Sequence, residues 1–377
     1  GISDRYNDSP LFRATIGDDV SLKEIKCPIA FLSPANDFHG RIGDLSASIN
    51  EIATKDWRVT CAPHHNHQDT AEYEVATQLW FDQHLRNSFE FPGTPETRLT
   101  LKTDDGVPTL TINPDQSRPI LSVDVFYTQQ GVTGREPHEN TMHRFWHHVA
   151  TTDNAGVWTA SLPLSDTNQP LWVYANVRYP LEKPVSGAGY YYGSYTANAF
   201  NVSSLLTMTT ADELASAGVQ ATRESSMLIE DFEGDWEKEW FTYRPAEWAR
   251  TTHKLYAGIW KAPPGAHLVL ELQAAERNKL VLLLDGYAAE VQIDGGDSPQ
   301  VFILTLDDFK DYSGERLATF HDVRRLKFTH AEHLRPGRGQ GGVPRLVGGN
   351  WKGLPPQFRS LRWSTNPEPA EESGQVR

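Results

Sequence analysis

The sequence predicts a multidomain chain: a short α/β piece with parallel strands, followed by two β-sandwich domains. Three observations carry that prediction. Between Cys27 and His67, two short apolar runs flank a stretch with apolar residues at helical spacing. From Thr97 to Ser203, and again from Met227 onward, short strand-like runs alternate with turn clusters. The length of 377 residues, at about 150 per domain, allows two or three such units. The predicted divisions are 1–95, 96–208 and 227–366, with a linker over 209–226 and a tail over 367–377 whose composition is that of a disordered segment.

The first piece reads strand, acidic loop, helix, strand, histidine loop. Pro28 to Leu32 is short, unalternating and closed by Ser33-Pro34, as a buried parallel strand is. The polar loop Ala35-Asn36-Asp37-Phe38-His39-Gly40 follows, then Ile42, Leu45, Ile49 and Ile52 form one helical stripe between Arg41 and Lys55. A second strand, Trp57 to Ala62, breaks at Pro63 into His64-His65-Asn66-His67. A right-handed crossover makes the two strands parallel, so both end at the same sheet edge. Neighbouring strands lie about 4.8 Å apart, which brings Asp37 and His67 together. A carboxylate beside an imidazole is the orienting half of a catalytic triad. His64 and His65 compete with His67 for the base, and His39 is a further lining candidate. A closing helix carries Tyr73, Ala76, Leu79 and Trp80 inward.

This segment resembles the C-terminal end of an α/β-hydrolase of the dienelactone hydrolase, acetyl xylan esterase and prolyl oligopeptidase group. The resemblance lies in Leu32-Ser33-Pro34-Ala35-Asn36-Asp37-Phe38, Ala62-Pro63-His64-His65-Asn66-His67, Tyr6-Asn7-Asp8-Ser9-Pro10-Leu11 and the helix over 70–86, about the first quarter of the chain. It implies Asp37 as triad acid, His67 as triad base, and ester or, less readily, peptide hydrolysis through an acyl-serine without a cofactor. The fold's order is serine, acid, histidine, with the serine on a Gly-x-Ser-x-Gly elbow. No such elbow occurs in these residues. The expectation is therefore a partial α/β-hydrolase whose N-terminal half, carrying the nucleophile, lies outside them. Two strands and one helix also leave a sheet edge and a face uncovered; packing on the following domains is one answer, and a missing N-terminal half is preferred because it also accounts for the absent serine. The resemblance further implies a secreted or periplasmic bacterial enzyme acting on esters, including those of polysaccharides.

The second division predicts strands over Thr97–Thr103, Pro108–Ile112, Ile120–Tyr127, Gly156–Leu162 and Leu171–Val177, a spacing that suits an Ig-like sandwich. The third predicts strands over Leu268–Leu272, Lys279–Asp285, Ala289–Ile293, Val301–Leu306 and Leu326–Thr329. There, Leu228 to Glu233 and Trp260 to Ala266 loosely resemble galactose-binding-like jelly rolls of polysaccharide-active enzymes. Tyr190, Tyr191, Tyr192, Tyr195, Trp236, Trp240, Tyr243, Trp248, Trp351 and Trp363 suit sugar stacking or packing, with packing the commoner role. A non-catalytic carbohydrate-binding or adhesive protein is the alternative reading.

A formal charge of −14 argues against nucleic-acid and anionic-membrane partners. No apolar run approaches the roughly 18 residues of a spanning helix. The two cysteines, Cys27 and Cys61, sit at strand positions offset by about four residues at about 3.3 Å each, beyond the roughly 7 Å reach of a disulfide. Both are expected to be buried thiols. His143, His147 and His148 share a helical face if helical, yet no third ligand sits at useful spacing, so no metal is expected. Asp231, Glu233 and Asp235 suit a calcium loop or a solvated acidic turn, with the turn the commoner outcome.

Overall fold

The computed structural model describes residues 9–15, 21–67, 70–132, 138–189, 193–244, 247–337 and 341–366. Tyr190, Tyr191, Tyr192 and the 367–377 tail therefore lie outside the described residues. The chain divides into two compact units, Gly1–Arg223 and Glu224–Arg377, and antiparallel sheet dominates both.

The first unit begins with helix α1 (Pro10–Thr15), strand β1 (Ile29–Leu32), helix α2 (Ile42–Glu51) and strand β2 (Trp57–Thr60). The two strands pair in parallel, Ile29 opposite Trp57 through Leu32 opposite Thr60. The predicted stripe of α2 buries Leu45, Ile49 and the following Ile52 against Val59. Helix α3 (Ala71–Phe81) buries Val75, Ala76, Leu79 and Trp80. It runs on into a π-helical turn, Asp82–Arg86, closed by Asn87 at φ 52°. One cysteine expectation is corrected. Cys61 is buried, but Cys27 is exposed, because β1 starts two residues after it.

The sandwich follows with β3 (Glu96–Thr100), β4 (Thr109–Asn113), β5 (Ser122–Thr128), helix α4 (His138–His143), β6 (His147–Ala150), β7 (Thr152–Asn154) and β8 (Val157–Ser161). Strands β9 (Leu171–Gly189), β10 (Gly193–Ser203) and β11 (Thr207–Thr209) complete it. One sheet has the order β3-β4-β8-β7; the other is β10-β9-β5-β6, with β11 also on β9.

Strand β9 explains the layering. Leu171, Val173, Ala175, Val177 and Tyr179 face a core shared with Leu110, Ile112, Ala160, Phe200 and α3. Its alternate residues Trp172 and Tyr174 pack with Ala35, Ile42, Cys61 and Trp146. A strand covered on both faces needs no polar alternation, hence its near-continuous apolar run. The βαβ layer thus rests on the outer face of the second sheet. Beyond β2, the chain is secured by side chains: the Cys61 N–H donates to Ser203 Oγ at 2.8 Å, and Asn176 Nδ2 donates to the Cys61 carbonyl at 3.0 Å.

The predicted linker over 209–226 is corrected in part. Residues Ala211–Ala217 form helix α5 with a Thr210–Glu213 capping box and Gly218 closing it at φ 78°. Leu214 and Val219 enter the first unit's core, so burial recruits this stretch despite its polar composition.

The second unit contains β12 (Leu228–Glu230), β13 (Arg250–Thr252), β14 (His267–Gln273), β15 (Asn278–Leu284), β16 (Tyr287–Ile293) and β17 (Gln300–Leu304). It ends with β18 (Leu326–Thr329), β19 (Ala331–Leu334), β20 (Arg345–Gly348) and β21 (Gln357–Ser364). Its four-stranded sheets have the orders β12-β21-β14-β17 and β13-β18-β15-β16. The hairpin β19–β20 covers the outer side of β15, packing Leu334 and Val347 on Val281 and Leu283. The predicted strand Val301–Leu306 ends at Leu304, where Thr305 and Asp308 cap a 3₁₀ turn.

Charge is also buried in this unit. The Lys254 ammonium donates to Glu230 Oε2 at 2.7 Å and lies 2.6 Å from Glu239 Oε2, while Trp240 Nε1 donates to the same Glu230 oxygen at 2.7 Å. Burial pulls the Lys254 pKa down, but the two carboxylates outweigh it and hold it above the ordinary lysine value. Of the six aromatics singled out here, Trp240 and Trp363 are core, whereas Trp236, Tyr243, Trp248 and Trp351 remain partly exposed.

Candidate functional site

The site is built where β1 and β2 end side by side. Past β1 the ladder continues: the Ser33 N–H donates to the Thr60 carbonyl and the Ala35 N–H to the Ala62 carbonyl, both at 2.9 Å. A turn then closes from the Asp37 N–H to the Pro34 carbonyl at 3.0 Å, and the His39 N–H donates to Asp37 Oδ1 at 2.7 Å. This fixes the carboxylate of Asp37, a buried residue.

The histidine loop meets it from β2. His67 Nδ1 lies 3.0 Å from Asp37 Oδ2 and 3.1 Å from Oδ1, and the His67 N–H donates to Asn66 Oδ1 at 2.8 Å. The two side chains differ in exposure, 49 % for His67 and 8 % for Asp37. Donation from Nδ1 to the carboxylate leaves Nε2 as the basic nitrogen. The contact with Asp37 holds the orientation of the His67 ring. The ring of His39 lies edge-on to that of His67 at 5.0 Å, and Phe38 lies at 5.9 Å.

The other two histidines are turned away. His64 sits in the left-handed region at φ 61° and packs, 1 % exposed, against Phe145 at 5.3 Å. The Nδ1 atom of His65 lies 2.8 Å from the Pro63 carbonyl. Of the three, His67 alone contacts Asp37 among the described residues.

Two residues that sequence reading missed bind this loop to the sandwich. Asn36 is fully buried. Its N–H donates to the His65 carbonyl at 2.9 Å, its Nδ2 to the Arg144 carbonyl at 2.8 Å, and its Oδ1 accepts from Trp146 Nε1 at 2.9 Å. One amide therefore ties the acid loop, the histidine loop and the segment before β6. The sequence signal was present but weak: an Asn beside a candidate acid, and a Trp in the aromatic-rich segment Phe145-Trp146.

A second Asp–His pair lies on the sheet beneath. His148 Nε2 is 2.9 Å from Asp124 Oδ1, with side-chain exposures of 8 % and 10 %, and Ser122 Oγ donates to Asp124 Oδ2 at 2.9 Å. His143, His147 and His148 do not share a helical face, because α4 ends at His143 and β6 begins at His147. Among the described residues no group of three or more His, Cys, Asp or Glu is placed to hold a metal ion. In the acidic turn, Asp231 Oδ1 accepts from the Glu233 N–H at 3.0 Å, and both side chains are exposed.

No family model matches the chain, and no curated protein matches it.

Proposed function

We propose that Asp37 and His67 are the acid and base of a serine hydrolase of the α/β-hydrolase type, acting on esters, including carbohydrate esters. In this reading residues 1–95 are part of the catalytic domain, followed by an Ig-like sandwich and a galactose-binding-like jelly roll, in a secreted or periplasmic bacterial enzyme. The observation that supports it is the 3.0 Å contact of His67 Nδ1 with buried Asp37, made by a ring that is half exposed. The nucleophile is a serine outside these 377 residues, because they contain no Gly-x-Ser-x-Gly elbow. As its Oγ bonds to the acyl carbon, the hydroxyl proton passes to His67 Nε2, which then delivers it to the departing alcohol. Water repeats the sequence on the acyl-serine and restores both groups.

The test reads the coding sequence upstream of Gly1 and labels its product with a fluorophosphonate. The expected outcome is an in-frame elbow whose serine labels and stops labelling in His67→Ala. An upstream sequence without an elbow, together with an unlabelled chain, overturns the proposal. Stoichiometric labelling of the 377-residue chain itself would place the serine within it and overturn the external nucleophile. The second reading is a non-catalytic carbohydrate-binding or adhesive protein. It draws on the partly exposed tryptophans of the second unit, of which Trp248 and Trp351 lie 4.8 Å apart, edge to face.

A further inference from the structure

Away from Asp37 and His67, the first unit holds a cleft of about 430 Å³ between α3 with its π-turn and the arm formed by β9 and β10. That size falls within the roughly 300–1,000 Å³ of small-molecule sites. Two local features shape it. The π-turn Asp82–Arg86, a rare element enriched at functional sites, widens the end of α3. Phe81 and Leu85, one helical turn apart on the cleft wall, are 56 % and 74 % exposed. Across from them, Gly187 pairs with Tyr195. A Cβ at Gly187 would lie 2.6 Å from the Tyr195 hydroxyl and 2.7 Å from Cζ, so a side chain there would displace the ring. Glycine at 187 is what lets Tyr195 lie across the arm and line the cleft.

We propose that this cleft binds a neutral saccharide, with Phe81 as the stacking face and Glu74, Gln78, Asp82 and Tyr195 meeting its hydroxyls. An exposed aromatic ring can cover the apolar face of a pyranose. The polar lining combines two carboxylate acceptors (Glu74, Asp82) with two groups that both donate and accept (Gln78, Tyr195), which suits adjacent hydroxyls that also do both. An anion would meet two carboxylates against one guanidinium, and that guanidinium, on Arg86, is already engaged with Asp82 at 2.8 Å. Burial, with the charge of Glu74 adding to it, keeps the Tyr195 hydroxyl protonated and able to donate.

The inference does not rest on the hydrolase reading: its readout is sugar binding, the other's is serine labelling. The experiment is calorimetric titration of the 377-residue chain with xylotetraose, cellotetraose, mannotetraose and galactotetraose. At least one should bind with a Kd of about 1 mM or tighter. Binding should weaken about tenfold in Phe81→Ala, persist in Phe81→Tyr, and be unchanged in Leu11→Ala, another exposed apolar position of the first unit. Silence from all four sugars with the folded chain, or binding that survives Phe81→Ala, overturns the proposal.

Discussion

The first unit contains two Asp–His pairs with the same chemistry and different surroundings. Asp37–His67 and Asp124–His148 have nearly equal contact distances, 3.0 and 2.9 Å. In each, one partner is a carboxylate with a side chain at most 10 % exposed. The difference is the ring. His148 is sealed at 8 %, whereas His67 is open at 49 %. A sealed pair satisfies buried polar groups and contributes to stability. The His67 ring is instead reachable from solvent beside an oriented carboxylate, which is the feature the proposed hydrolase would use. Distance alone does not separate the two pairs; exposure does.

The comparison can be broken in several ways. The largest effect is on chemistry at the open pair. In the serine-bearing hydrolase proposed above, Asp37→Asn should lower kcat by about 10⁴-fold, by presenting the wrong His67 tautomer, with little change in KM. Steady-state ester hydrolysis checks this, and a loss below tenfold would deny Asp37 its role.

Next comes the ion cluster of the second unit, in which Lys254 and Glu230 are buried and Glu239 nearly so. Lys254→Met leaves Glu230 and Glu239 buried without a cation and should destabilise that unit by about 3–5 kcal/mol in urea unfolding. The folded-state pKa of Lys254 lies above its ordinary 10.5. Its contribution is therefore complete below that value and fades as pH rises through the higher folded one. Wild-type stability should fall above about pH 10.5, and Lys254→Met should flatten that fall.

Within the first unit, Asp124→Ala removes the carboxylate that meets the sealed His148 ring and the Ser122 hydroxyl, and should cost about 2 kcal/mol. His67→Ala should cost less than about 1 kcal/mol, since half of the ring is in water. If the two changes proved equally destabilising in urea, the distinction between sealed and open pairs would fail.

Much of this was legible in the residues. The helical spacing of Ile42, Leu45, Ile49 and Ile52 predicted α2, and the two short apolar runs predicted a parallel pair. The loops after them brought Asp37 and His67 together. Strand β10 was missed because its small and polar residues, such as Thr196, Ala197 and Asn198, imitate a loop. It gains its place by pairing along β9. Strand β21 is not among the predicted strands, although Leu361 and Trp363 are buried at alternate positions along it. It lies between β12 and β14. The polar composition over 209–226 predicts a linker with at most one helical turn, because the single leucine that α5 buries is a faint signal against that background.

The sequence by itself determined which segments are strands and helices over the apolar runs, where they turn, and that an acid and a histidine share one sheet edge. Those properties follow from periodicity and local turn chemistry, which act over a few residues. The tertiary structure decided what each apolar face lies against. It set the βαβ layer on Trp172 and Tyr174, buried His64 and His65 while leaving His67 open, and joined Asn36 to Trp146 across 110 positions of sequence. The reason is physical. The hydrophobic effect specifies that a surface leaves water without specifying its partner. Hydrogen bonds between distant segments exist only once docking has set their distances.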